Sequence, residues 1–425
     1  STPVTVTGLS RRAFAWLKDG IDEGAIDTSR RSYLHYLRGE EMFDRFRRSL
    51  SQGLEERYNV RLYNMGSGGQ VEFEAGPLEP GSPVGSAAMI GDISYGGYGT
   101  VTYVENDCLV AYGHPGFFLG GTDLFMTSAY IADTIKATPG AWKEGYLGQE
   151  IGTILEDRLT AIGGAIGRPT TAIQFNVKVT DKDSGVTSQF QAKSVALSDL
   201  YPDNLLFAGL EAVDKTLNRI GPGTLNMHVA IKGAGLPRAL EREDIYVSNY
   251  DVSAAGTFDP GWIAFMLAWN EFTDPKISEI DLDLSVERAL RAKVIESVEI
   301  EDLRGTRLSY KVTLQPHRGI VSEVIKGSLD VSKAKGDYVY LHAFPARMAF
   351  WWLEMSGPWE RPYYAPTILS LAELVAAIED APTNDLILVA ARSVSTGRFY
   401  DFEVKSVGDW YADGERESEY IAEVK

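Results

Sequence analysis

Two short stretches, Gly99-Thr100-Val101-Thr102-Tyr103 and Ala111-Tyr112-Gly113-His114-Pro115, decide how this chain reads. Residues 98–104 and 108–112 are rich in Thr, Val and Tyr, side chains that suit a pleated, half-buried surface. Glu105-Asn106-Asp107 separates them and is a turn signal, so the spacing predicts a β-hairpin. The second strand delivers His114 between Gly113 and Pro115. Such a corner holds an imidazole on a fixed, exposed bend, where a general base is useful. A single histidine at a turn is more often a surface or capping residue.

Working outward, the same reasoning gives a β-dominated mixed α and β fold. Upstream, Phe14, Trp16, Leu17 and Ile21 form one helical stripe, and Tyr33, Leu34, Leu37, Met42, Phe43, Phe46 and Leu50 form a second. Gly20, Gly24, Asp27 and Ser29 mark the connection. Arg30, Arg31, Arg38, Arg45, Arg47 and Arg48 decorate the second helix, a solvated face on the plain reading and an anionic-surface patch on the sharper one. Residues 65–97 are rich in Gly, Pro and Ser. Downstream, 172–180 and 186–195 alternate as a hairpin around Asp181-Lys182-Asp183-Ser184-Gly185.

Helices are expected over 205–219, closed by Gly221-Pro222-Gly223, and over 262–270, started after Asp259-Pro260-Gly261. Ile280, Leu282, Leu284 and Val286 then alternate with acids, and 308–314 alternates likewise after Arg304-Gly305, as in a small antiparallel sandwich. A helix over 369–379 and strands near 386–390 and 400–404 end the chain. The expected segments are an N-terminal helical segment (1–65), a β core (66–200), a helical insert (201–275), a sandwich-like unit (276–345) and a C-terminal α+β unit (346–425).

Composition excludes several classes of function. Among 425 residues, 41 Lys and Arg face 59 Asp and Glu, a net charge of −18, which opposes general polyanion binding, so nucleic acid is not an expected partner. Cys108 is the only cysteine, so neither an internal disulfide nor a multi-cysteine zinc site can form. Five scattered histidines, His35, His114, His228, His317 and His342, show no paired metal-ligand spacing, and no cofactor motif is present. Gly96-Gly97-Tyr98-Gly99 leads into a strand and lacks the Lys-Ser/Thr sequel of a phosphate loop. No apolar run is long enough to span a bilayer. The start, Ser1-Thr2-Pro3-Val4, has neither an initiator Met nor a signal-peptide pattern and reads as a processed or cut end.

Further motifs accompany the two stretches. Leu78-Glu79-Pro80-Gly81-Ser82 and Gly91-Asp92 precede them; Leu147-Gly148 and Gly152-Thr153-Ile154-Leu155-Glu156-Asp157-Arg158 follow. Asn270-Glu271-Phe272 and Gln315-Pro316-His317-Arg318-Gly319 lie farther on. Taken in order over roughly residues 75–392, the series resembles the SpoIVB-type serine peptidase family in its extended bacterial members. The resemblance implies a chymotrypsin-like β-barrel endopeptidase with Ser, His and Asp performing acyl transfer. His114 carries over as the base. Asp157 matches a family motif, although Arg158 beside it also suits a structural ion pair. Asp123 is a rival carboxylate, and Asp92 reads as a turn-former.

The nucleophile is the departure. The family presents its serine in a G-x-S-G-S-P segment, whose glycines turn backbone N–H groups inward as an oxyanion hole. Only fragments occur here, Gly81-Ser82-Pro83 and Met355-Ser356-Gly357-Pro358. In extended members a similar segment precedes the GTVT-like strand, which would place it before Ser1. Either the serine lies on an upstream segment of the precursor, or it has been lost. The first implies a partner fragment of the same precursor and a protein substrate. The second implies an extracytoplasmic scaffold, binding or self-assembling protein. The resemblance implies an extracytoplasmic location in both cases. Phe344, Phe350, Trp351, Trp352, Trp359, Tyr363 and Tyr364, with Arg347 and Arg361, suit a buried seam or, where exposed, a partner surface. Asp281, Asp283 and Glu287 read as one strand face and not as a calcium loop.

Overall fold

The computed structural model describes residues 2–21, 34, 37, 40–65, 73, 76–136, 142–348 and 368–425. The chain opens with strand β1 (Thr2–Thr7) and helix α1 (Arg11–Asp19), followed by α2 (Glu40–Ser51), α3 (Gly53–Tyr58) and β2 (Val60–Asn64). The first helical stripe lies on and just after α1 and residues 42–50 of the second lie on α2, while Tyr33 and the connection at Gly24, Asp27 and Ser29 lie outside the described residues; strands frame these helices. Thr2-Pro3-Val4-Thr5-Val6-Thr7 is β-branched and alternating, with Val4 and Val6 buried, and β1 pairs in parallel with β2.

Six strands come next: β3 (Pro83–Gly91), β4 (Ser94–Glu105), β5 (Cys108–Ala111), β6 (Gly120–Ile135), β7 (Trp142–Arg158) and β8 (Ala161–Ile166). Their antiparallel pairings run β3–β4–β5–β8–β7–β6 and return to β3, closing a ring. In this order the return strand β6 lies beside β3, a Greek-key arrangement. The expected hairpin joins β4 to β5, with Asn106 and Asp107 at φ 49° and 62° in a two-residue turn of the kind that matches strand twist. β1 extends the ring from the outer edge of β4, pairing Thr5 with Gly96.

Beyond the ring the sheet continues as an open platform. Its elements are β9 (Ala172–Asp181), β10 (Thr187–Val195), α4 (Tyr201–Leu217), β11 (Gly223–Gly233), β12 (Leu240–Ser248), α5 (Val252–Ala268) and β13 (Ile277–Glu287). The strand order β12-β11-β13-β9-β10 leads directly into β3. Helices α4 and α5 cover one face, against Phe175, Val177, Leu225, Leu282 and Leu284. The other face is polar: Asp281 meets Asn176 at 2.8 Å and Lys232 at 2.9 Å, and Asp283 meets Lys178 at 2.7 Å. Those acids are therefore lateral partners on a strand face.

Helix α5 begins ten residues before the expected start. Asp251 caps it, accepting from the Ala254 N–H at 3.1 Å, and Pro260 lies inside it. Asp-Pro-Gly reads locally as a break because proline removes a donor and crowds the preceding turn. Tertiary packing outweighs that cost here. The helix is buried almost all round, Tyr246 donates to Asp259 at 2.7 Å, and Trp262 donates its Nε1–H to the Leu34 carbonyl at 2.9 Å.

The remaining elements are β14 (Ala292–Arg304), β15 (Arg307–Pro316), β16 (Glu323–Asp330), β17 (Tyr338–Pro345), α6 (Leu371–Glu379), β18 (Leu386–Ser393), β19 (Phe399–Ser406), β20 (Tyr411–Asp413), β21 (Arg416–Glu417) and β22 (Ala422–Glu423). Two sheets, β16-β15-β14-β20 and β19-β18-β17-β21, enclose a core that includes Val298, Tyr310, Val312, Leu341 and Val389. A sandwich thus forms, but over 292–424. β13 belongs to the platform, and β17 pairs with β18 across the expected division at 346. Partners far apart in sequence leave no local mark of a boundary. The aromatic cluster over 350–364 lies outside the described residues.

Helix α6 leaves the sandwich and packs Leu374 and Ile378 into the platform core. Its end is tied to β12 by Arg242, whose side chain is 2% exposed. That guanidinium donates to the carbonyls of Ile378 (3.0 Å) and Ala381 (2.8 Å) and to Asp244 (2.8 Å), while Asp244 accepts from the Asn384 N–H at 2.8 Å. Removing one partner of a buried pair leaves an uncompensated charge. Arg242→Ala is therefore expected to cost about 3–5 kcal/mol in urea unfolding. A loss under about 1 kcal/mol would show that this tie does not hold the two halves together.

Candidate functional site

The His114 corner is built by backbone constraint before any chemistry. Tyr112 and Gly113 follow β5 with φ of 74° and 75°, the left-handed region, which glycine enters freely and tyrosine does not. Tyr112 is held there by its side chain. Its hydroxyl donates to the Gly97 carbonyl at 2.6 Å, and its ring lies 2.3 Å from where a Cβ on Gly99 would stand. Gly99 of the quoted strand is thus required by close approach of an aromatic ring. Burial pushes the Tyr112 hydroxyl pKa well up, so it stays a neutral donor. The tyrosine ring centroid lies 5.6 Å from that of His114.

His114 itself is exposed, and its Nδ1 lies 2.8 Å from the Pro115 carbonyl oxygen. A carbonyl only accepts, so Nδ1 carries the hydrogen and the neutral ring keeps its lone pair on Nε2. The same carbonyl accepts from the Thr2 hydroxyl at 2.8 Å. The beginning of β1 therefore lies against the histidine corner, although 113 positions separate Thr2 from Pro115. Sequence reading missed this contact. The alternating run at 2–7 marks a strand, but nothing in it says which edge the strand joins.

Asp157 lies beneath the loop that leaves His114. It is completely buried on β7, and its carboxylate accepts from the backbone N–H groups of Gly116 (2.7 Å), Phe117 (2.8 Å) and Leu119 (3.3 Å). It holds the loop that follows His114, and no hydrogen bond joins it to the imidazole among the described residues. Arg158 pairs outward with Glu156 at 2.6 Å, because successive side chains on a strand point to opposite faces. The ion pair weighed for Asp157 and Arg158 does not form.

The other candidates stand apart. Asp123 lies at an irregularity between β6 and β7, with a buried Oδ1 that has no hydrogen-bond partner among the described residues. Ser82 closes the turn before β3: its hydroxyl accepts from the Glu79 N–H and donates to the Pro77 carbonyl, both at 3.1 Å. The Val101 N–H bonds the Ser82 carbonyl while Val101 pairs with Ala111, so two strand spacings, about 10 Å, separate Ser82 from the start of the corner. Asp92 accepts from the Gln191 N–H at 2.7 Å and ties the β3–β4 turn to β10. Ser356 and His35 lie outside the described residues. A further polar group near the corner is Lys143 on β7, which donates to the Thr100 hydroxyl; burial lowers its ammonium pKa. No group of three or more His, Cys, Asp or Glu side chains suited to a metal ion occurs among the described residues.

No protein-family model, curated protein or solved structure matches the chain.

Asp157→Ala strips three backbone donors of a charged acceptor and is expected to cost about 3 kcal/mol or more, with amide exchange at 116–119 speeding up selectively. His114→Ala, an exposed change, should leave both unaffected. Unchanged exchange in Asp157→Ala would refute the loop-holding role. His342, buried in the sandwich, has its pKa pushed down to about 4 by desolvation, with Arg392 adding to the effect. The unfolded chain then binds a proton near pH 6.5 that the folded chain refuses until about 4. Its contribution is complete above about 6.5 and is lost as pH falls through that window, by as much as about 3 kcal/mol. Chemical unfolding at pH 7 and pH 4.5 should show a smaller pH difference for His342→Phe than for the parent.

Proposed function

We propose that this chain is the major part of a SpoIVB-type serine endopeptidase whose nucleophilic serine is carried by a segment preceding Ser1. The observation that supports the reading is the Thr2 hydroxyl on the Pro115 carbonyl, since it sets the start of β1 against the histidine corner. His114 would take the serine proton on Nε2 and return it to the leaving amine, while Nδ1–H stays on the Pro115 carbonyl. Asp157 keeps the corner in place through the 116–119 amides. The oxyanion donors would arrive with the glycines flanking the serine. The partners are then the upstream segment and a protein substrate, in an extracytoplasmic compartment, and this chain alone hydrolyses nothing.

A second reading, a noncatalytic scaffold or self-assembling member, is favoured by one specific fact. Nδ1 of His114 meets a carbonyl, whereas a working triad places a carboxylate there to stabilise the imidazolium. The test is labelling of the full-length precursor with a serine-reactive phosphonate. The peptidase reading expects a label on the upstream serine that slows about 10²-fold or more in His114→Ala. An unlabelled precursor, or a rate indifferent to His114, would leave the scaffold reading standing.

A further inference from the structure

The arginine-rich helix noted in the sequence has a place in the fold away from His114. Helix α2, the tail of α5 and the link from β10 to α4 enclose a cleft of about 370 Å³. Arg45, Arg48 and Arg57 contribute to it, with Asp199, Asp203 and Trp269. The volume is within the range of small-molecule sites.

The charges do not balance internally. Arg57 is used up: it pairs with Asp203 and donates to the Asp199 carbonyl at 2.6 Å. Arg45 and Arg48, one helical turn apart on the same side of α2, have no acidic partner among the described residues. The Arg45 guanidinium carbon lies over the Trp269 indole, 3.5 Å from the ring centroid, a cation–π contact that places the guanidinium at the cleft. The indole Nε1–H is shielded from solvent and has no acceptor among the described residues. A donor in that condition calls for an explanation. Three groups that only donate thus line one cleft: two exposed guanidiniums and an indole N–H that lacks an acceptor among the described residues. Against the three arginines stand two aspartates, so one positive charge is in excess, which matches a monoanion better than a dianion. The indole and Phe265 supply an apolar wall.

We infer that this cleft binds a small monocarboxylate, its carboxylate on Arg45 and Arg48 and its apolar body on the Trp269 wall. The inference stands apart from the chemistry proposed for His114. A carboxylate of this kind could come from a free aryl or alkyl acid or from a peptide C-terminus, and the probes separate the two. Benzoate, N-acetylphenylalanine, N-acetylphenylalaninamide and inorganic phosphate would be titrated into the whole ¹⁵N-labelled chain while the Trp269 indole N–H resonance is followed, assigned by its absence in Trp269→Phe. Saturable shifts are expected with one or both carboxylates, with the free acid or the peptide-like acid binding more tightly according to the source, and none with the amide. In the Arg45→Ala/Arg48→Ala double variant, whose changes are on the surface, binding should weaken about tenfold or more, the loss of one charge-assisted hydrogen bond or greater. Absence of saturation by both carboxylates, tighter binding of phosphate, an equal response to the amide, or unchanged affinity in the double variant would each overturn the inference.

Discussion

Everything in the first 290 residues depends on β3 serving three neighbours at once. Along one edge it bonds β4. The other edge is divided, with Val84–Ala87 opposite β6 and Met89–Gly91 opposite β10. The first half closes the ring and the second opens the platform, and an irregularity between Ala87 and Met89 marks the change. A strand so placed is covered on both faces. Pro83-Val84-Gly85-Ser86-Ala87-Ala88-Met89-Ile90-Gly91 answers that demand, because its small side chains admit close neighbours and its interior is buried throughout.

From that junction the histidine corner follows as a chain of supports. The hairpin sets β4 beside β5; Gly99 leaves room for the Tyr112 ring; the Tyr112 hydroxyl bonds Gly97 and sustains a backbone conformation that tyrosine seldom adopts. Strain of this kind persists only where surroundings over-determine it. On the far side of His114, Asp157 gathers the amides of the next loop. An exposed imidazole is thus mounted between a half-buried tyrosine and a buried carboxylate. Its ring nitrogens are differentiated by the Pro115 carbonyl, and the β1 strand reaches the same carbonyl through Thr2.

The platform carries a different burden, since its helices bury charge. Asp203 and Asp214 on α4 are answered by Arg57 and Arg12 from the N-terminal helices, and Arg242 with Asp244 answers the end of α6. Burial raises the carboxyl pKa of Asp203, Asp214 and Asp244 even with those arginines beside them, the latter two to about 6. Such pairs add little net stability compared with apolar packing, but removing one member is costly. They act as registers: α1, α3 and α6 each dock where a specific guanidinium finds its carboxylate or carbonyls.

What the sequence determined by itself was local and periodic. Thr- and Val-rich alternation marked the β4–β5 and β9–β10 hairpins, the turn residues placed their bends, and Gly113-His114-Pro115 announced an exposed corner, because each signal lies within a few residues of its consequence. Only the tertiary structure decided the rest. Asp157 is an amide acceptor for residues some 40 positions earlier, β13 pairs in parallel with β9 about a hundred residues away, β17 pairs with β18 across an expected boundary, and Pro260 lies inside a helix that packing sustains. The physical reason is common to all four. A side chain's partner, an edge's neighbour and the offset of a proline's cost are set by long-range burial, and local propensity contains no record of which distant residues will be there.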